Sequence, residues 1–244
     1  MSDKPVPAAK TVGSEPARQR SDSAEIDAFL RDVRARGPAG GGSGRLILAL
    51  DATMSRQPTW DVASSIQSEM FDTVGKTGGL SVQLVYFRGY GECRASKFVG
   101  DTRTLKDLMT RIDCRAGNTQ IGKVLAHALK ENERGKVGAV VYIGDAMEEQ
   151  IDALGEKAGE LGLRGVPVFV FQEGSNALAE RAFREIARLS RGAWFRFDRS
   201  AAATLARLLS AVAVFATGGL KALEARGSAE DRLLLQHLKG GPAG

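Results

Sequence analysis

The sequence predicts a doubly wound α/β fold: a mostly parallel central sheet with one antiparallel edge strand and helices on both faces. Three observations carry that expectation. Short aliphatic runs such as Leu46-Ile47-Leu48-Ala49-Leu50 read as strands buried on both sides. Segments with helical spacing separate those runs, and strands alternating with helices assemble into parallel sheets. One pair of runs is parted only by Arg88-Gly89-Tyr90-Gly91, whose turn chemistry predicts a hairpin.

At 244 residues the chain has room for one such domain with extensions. Its 43% hydrophobic and 26% charged residues are those of a globular protein. The net charge of +5 permits an acidic partner without requiring one. No apolar run reads as approaching the roughly 18–20 residues of a membrane span. The start Met1-Ser2-Asp3-Lys4-Pro5 lacks an apolar signal core. Cys93 and Cys114 are the only cysteines, too few for a disulfide framework. These features predict a cytoplasmic protein, away from membranes, with both thiols reduced.

Residues 1–44 read as an extension. The first twenty cannot bury enough apolar surface to offset chain entropy. Asp22-Ser23-Ala24-Glu25 has capping-box character, and Ile26, Phe29, Leu30 and Val33 follow at helical spacing. A glycine-rich linker over 37–44 tethers that short helix, which docks either on the domain or on another protein, the former being favoured. The domain proper spans 45–217. After the first strand, a helix over 58–76 opens at Pro58 and closes at Gly78-Gly79. A strand over 80–87 pairs back with one over 92–99. Helices are expected over 102–112, 119–133, 151–161, 177–189 and 201–215, and strands over 137–143, 167–171 and 194–197. Residues 218–244 read as a tail with a short helix over 228–238.

In open α/β sheets ligands sit beyond the carboxyl ends of the central strands. Three loops bring hard oxygens to that edge: Asp51, Thr53 and Ser55 after the first strand, Thr119 after Gly117-Asn118, and Asp145 after Gly144. Two carboxylates, three hydroxyls and waters suit Mg²⁺ or Mn²⁺ rather than Zn²⁺. Taken alone, Asp51-x-Thr53-x-Ser55 reads equally well as a strand end whose side chains cap the next turn.

The order Asp-x-Thr-x-Ser, Gly-Asn-Thr, then strand-Gly-Asp resembles the metal-ion-dependent adhesion site of the von Willebrand factor A (VWA) domain family, in its intracellular bacterial form. The resemblance covers residues 45–215. Thr53 stands where the family usually has serine, and Ile143-Gly144-Asp145-Ala146 stands where it often has Thr-Asp-Gly. The resemblance implies binding rather than catalysis: a partner protein's Asp or Glu completes the coordination of the cation. It also implies a contact face built from the loops, including Met54, Arg56, Gln57, Met147, Glu148 and Glu149. Glu148 and Glu149 could also act on the cation through water or through its direct ligands, but they read more simply as the start of the following helix, where negative charge suits the dipole. Arg88 and Tyr90, on the hairpin turn, form a candidate recognition loop. By analogy the setting is a scaffold or co-factor of a larger assembly.

Rival readings are weaker. Gly117–Lys123 resembles a phosphate loop, but Val124 stands where the Mg²⁺-binding hydroxyl belongs. A phosphoaspartate nucleophile at Asp51 would want a second acid at position 53. RNA binding is the alternative function, permitted by the basic pI of about 9.4. The arginines at 181, 184, 188 and 191 could serve it, yet glutamates at helical spacing mark a solvated, ion-paired face. His127 and His237 are too isolated for a zinc site or a catalytic triad.

Overall fold

The computed structural model describes residues 44–53, 79–197 and 202–240. The helices expected over 22–36 and 58–76 lie outside the described residues, as do Met54, Ser55, Arg56 and Gln57. Six strands, β1 (Gly44–Asp51), β2 (Leu80–Arg88), β3 (Glu92–Val99), β4 (Ala139–Gly144), β5 (Val168–Glu173) and β6 (Ala193–Phe197), form one sheet in the order β3-β2-β1-β4-β5-β6. Only β2–β3 is antiparallel. The expected fold class is observed.

Alternate residues of each strand feed two separate cores, as a strand's two-residue period requires. Leu46, Leu48 and Leu50 face helices α1 (Thr102–Thr110), α5 (Ala202–Arg226) and α6 (Ala229–Gly240). Ile47 and Ala49 face α2 (Ile121–Arg134), α3 (Ile151–Leu163) and α4 (Ala177–Leu189). Cys114 belongs to the first core and Cys93 packs against the second, so the two cysteines lie on opposite faces of the sheet and are not joined to each other.

The carboxyl-terminal segment departs from the expected pattern. Helix α5 passes Phe215 and is broken at Gly219, whose φ of 63° and ψ of −159° are non-helical; a second helical stretch then runs to Arg226. By length and composition residues 206–226 would pass for a membrane-crossing helix, with mean hydropathy 1.4 in their most apolar window, which corrects the expectation that no such run exists; the break at Gly219 divides them. Here that helix lies on β1 and β4. Gly44 and Gly138 permit the approach: a Cβ on either would stand 2.7 or 2.5 Å from the carbonyl oxygen of Ala216. Gly44, expected in the linker, is thus the first residue of β1.

Helix α6 packs on α5 and β6, and Leu234 and Leu235 join the first core. Ser228 and Asp231 cap it reciprocally, each backbone N–H donating to the other's side chain at 2.9 and 3.1 Å. Arg226 clasps the fully buried Asp231 with two N–H groups and reaches Ser210 Oγ at 2.9 Å. Burial alone would raise the Asp231 carboxyl, but the bonds from Arg226 and Ser228 outweigh it and the net shift is downward.

Asp231→Ala should therefore strand the Arg226 charge against α5 and cost about 2–3 kcal/mol in urea unfolding. His237 supplies a pH test of the same docking. Its ring stands edge-on to Phe195, centroids 5.0 Å apart, and burial pushes its pKa below the usual 6.5. The folded state thus favours the neutral ring, whose contribution is complete above pH 6.5 and declines as pH falls below it. Amide protection in α6, corrected for the intrinsic exchange rate at each pH, should fall on acidification from neutral pH relative to α4, which carries no histidine.

Candidate functional site

The site is set by strand register. β1 and β4 are adjacent and parallel, with Leu50 opposite Ile143. Asp51 therefore ends β1 opposite Gly144, and Asp145 follows immediately. Both carboxylates stand at the carboxyl edge of the two middle strands. Asp51 is fully buried, and its Oδ1 accepts the N–H of Thr53 at 2.8 Å, the turn anticipated at this strand end. Asp145 Oδ1 is buried and accepts no hydrogen bond among the described residues.

The second loop is stitched to both of its neighbours. Arg115 N–H donates to Ala52 O at 3.0 Å, fastening it to the β1 loop. Thr119 fastens it to the β4 loop. Its N–H and Oγ1–H both donate to Glu148 Oε2, at 2.9 and 2.8 Å, and Glu148 N–H returns a bond to Thr119 Oγ1 at 3.3 Å. Thr119 consequently stays outside the helix that was expected to include it. Of the five expected ligands, Asp51, Thr53, Thr119 and Asp145 come together at one edge, and Ser55 lies outside the described residues. No group of three His, Cys, Asp or Glu side chains is placed to hold a metal among the described residues. Any cation here would rest on two carboxylates and hydroxyls.

Glu149 does something the sequence reading missed. Its carboxylate accepts the N–H of Ile121 and, at 2.9 Å, the N–H of Gly122, which are orphan donors at the start of α2. Helix α3 begins only at Ile151, so Glu148 and Glu149 do not open it; they clamp the second loop and α2 instead. Gly122 makes room, since a Cβ there would stand 2.9 Å from Glu149 Oε2. The phosphate-loop resemblance of 117–123 is answered the same way: the protein's own carboxylate occupies the anion seat. The available signal was a pair of acids just past a buried strand, together with a glycine in the first turn of the next helix.

The hairpin turn is held rigidly against this loop. Asn118 N–H donates to Gly89 O at 3.2 Å, and Lys123 Nζ reaches Gly91 O at 2.9 Å. The buried Gln120 amide donates to Arg88 O and Glu92 O, both at 3.3 Å. Gly117 has no space for a Cβ, which would fall 2.1 Å from Gly89 O. Arg88, expected as a recognition residue, is buried and engaged by Glu92 and Asp113. The Arg88 guanidinium is the main reason the Glu92 carboxyl falls to about 2. Arg115, with Arg88 behind it, does the same for Asp113, also about 2. Arg88 is therefore a brace of the hairpin. Met147 likewise needs correcting: it is 3% exposed and packs in the second core, so it does not line a contact face. Tyr90 remains, 87% exposed at the hairpin tip.

On the arginine face of α4, Arg184 pairs with Glu180 at 2.9 Å as its spacing predicts, whereas Glu185, four residues from Arg181, pairs with Arg188 at 2.6 Å. His127 Nε2 bonds Gln83 Oε1 at 2.8 Å, away from the carboxyl edge.

Glu149→Ala should cost about 1–2 kcal/mol by uncapping α2. Faster hydrogen exchange at Ile121 and Gly122, with α4 unchanged, is the expected signature. Gly122→Ala should reproduce it by displacing the carboxylate.

No protein-family model and no curated protein sequence matches this chain. Solved structures do match it. A von Willebrand factor type A protein from Catenulispora acidiphila aligns with TM-score 0.58 at 16% identity, over 72% of this chain and 43% of that one. The SpRpn10 VWA domain aligns with TM-score 0.55 at 12% identity, over 71% of this chain and 95% of that one. Proximal thread matrix protein 1 from the mussel byssus, with a zinc-occupied MIDAS motif, aligns with TM-score 0.53 at 18% identity, over 72% of this chain and 46% of that one. The chain spans less than half of the first and third of these. At such identities the likeness is one of fold, and the fold is that of a VWA domain.

Proposed function

We propose that this chain is a protein-interaction module whose carboxyl-edge site holds Mg²⁺, or Mn²⁺, and captures an Asp or Glu side chain of a partner protein. The observation that carries the reading is Asp145 Oδ1, buried beside the Asp51 strand end with no hydrogen bond among the described residues. A carboxylate oxygen removed from water is costly unless a donor or a cation meets it. Asp51, Thr53, Ser55, Thr119 and Asp145 would hold the ion. When bound, it supplies a hard positive centre with affinity for an anionic oxygen. The chain's own residues do the rest. Thr53 and Arg115 bonds fix the β1 loop, the Glu148 clasp fixes Thr119, and the braced hairpin offers Tyr90 as an aromatic contact beside the site. A zinc-occupied MIDAS in a structure of the same fold adds support.

We take the protein to be cytoplasmic and a binder rather than an enzyme. His127 is committed to Gln83 and His237 to Phe195, so neither serves as a base at the carboxyl edge. The RNA alternative gains no support, since the arginines of α4 that would track phosphates include two committed to glutamates.

Titration calorimetry with MgCl₂ and with MnCl₂ tests the reading. The wild-type chain should show one binding event that Asp145→Asn abolishes while leaving the circular dichroism spectrum intact. A wild-type chain that binds neither ion at millimolar concentration would end it. Tyr90→Ser should keep the calorimetric event. It should weaken recovery of the Mg²⁺-dependent partner from native extract by roughly tenfold, the cost of losing one aromatic anchor.

A further inference from the structure

We propose that Glu148 is a positioning residue for the cation: it accepts the hydrogen bond of the Thr119 hydroxyl and so leaves an oxygen lone pair available to the ion. This rests on the proposed function of the same site. The geometry is a reciprocal clasp. Glu148 Oε2 accepts from Thr119 N–H at 2.9 Å and from Thr119 Oγ1–H at 2.8 Å, and Glu148 N–H donates to Thr119 Oγ1 at 3.3 Å. A hydroxyl has one proton and two acceptor directions. The clasp uses the proton and one acceptor direction and leaves the other.

Three consequences follow from chemistry alone. The rotor is locked, because turning the proton elsewhere breaks a charge-assisted bond. Electron density on Oγ1 rises, because its proton is shared with a carboxylate, which makes it a better donor to a hard cation. Thr119 is also tied to the loop that carries Asp145, so the two groups move as one unit. The neighbouring Glu149 performs a different task, holding Ile121 and Gly122 at the start of α2 without touching Thr119. Adjacent carboxylates of the same type thus supply an internal control. Glu148 is itself an exposed residue, so its removal takes nothing from either core.

The experiment follows free Mn²⁺ by electron paramagnetic resonance as MnCl₂ is titrated into the full chain, for wild type, Glu148→Ala, Glu148→Gln and Glu149→Ala. Glu148→Ala should weaken Mn²⁺ binding about 10–100-fold, the usual cost of losing a residue that orients a ligand. Glu148→Gln retains an oxygen acceptor for Thr119 and should recover most of that loss. Glu149→Ala should lower the thermal midpoint and leave Mn²⁺ affinity unchanged. Hydrogen exchange at the Thr119 amide, measured without metal, should accelerate in Glu148→Ala and not in Glu148→Gln.

Equal Mn²⁺ affinity in wild type and Glu148→Ala would overturn the assignment while leaving the site itself standing. A Glu148→Gln variant as defective as Glu148→Ala, with its Thr119 amide still protected, would also overturn it, making Glu148 a direct ligand. A wild-type chain that takes up no Mn²⁺ would end the reading of the site, and this assignment with it.

Discussion

Two carboxylates at the ends of adjacent parallel strands set the terms for everything near them. The pairing of Leu50 with Ile143 leaves Asp51 and Asp145 no freedom to separate, since slipping the register by one residue would turn each strand's apolar set onto the wrong face. The packing of two cores therefore fixes a concentration of negative charge at one edge of the sheet. The same β1–β4 contact that gives the domain its middle thus places both carboxylates of the proposed cation site at one edge.

Around that edge the chain trades freedom for order. The β1 loop is fastened to the second loop through Ala52 and Arg115, the second loop to the β4 loop through Thr119 and Glu148, and the hairpin to the second loop through Gly89, Gln120 and Lys123. Most of these bonds use backbone groups of segments that lack regular structure, which would otherwise be left unsatisfied on burial. Their combined effect is that the loops behave as a platform rather than as independent strings. Preorganisation of this kind lowers the entropy lost when a partner docks.

The sequence made the sheet legible because its signals are local. Aliphatic runs of strand length, the hairpin glycines and the helical spacing of Ile121, Val124, Leu125 and Ala128 each report their own element. The placement of Asp51, Thr119 and Asp145 at one edge was legible for a related reason: hard oxygens at an element's end are gathered by the topology rule. What the sequence hid is determined by contacts between distant segments. Met147 looks like a loop residue until α2 and α3 close over it. Arg88 looks free until Asp113, on another loop, meets it. Glu149 reads as the first turn of its own helix because nothing local reveals that α2 lacks a side-chain cap. The helical stretch between Gly219 and Arg226 was missed because Gly218-Gly219 does break the first helix, and nothing local shows that a second begins directly after it.

The most direct measurement is anomalous diffraction at the manganese edge from crystals grown in MnCl₂. One strong peak bounded by Asp51, Thr119 and Asp145, with Glu148 still bonded to Thr119, is the expected result. Density at that edge showing only water, or a peak elsewhere with the two carboxylates turned away from each other, would contradict the account.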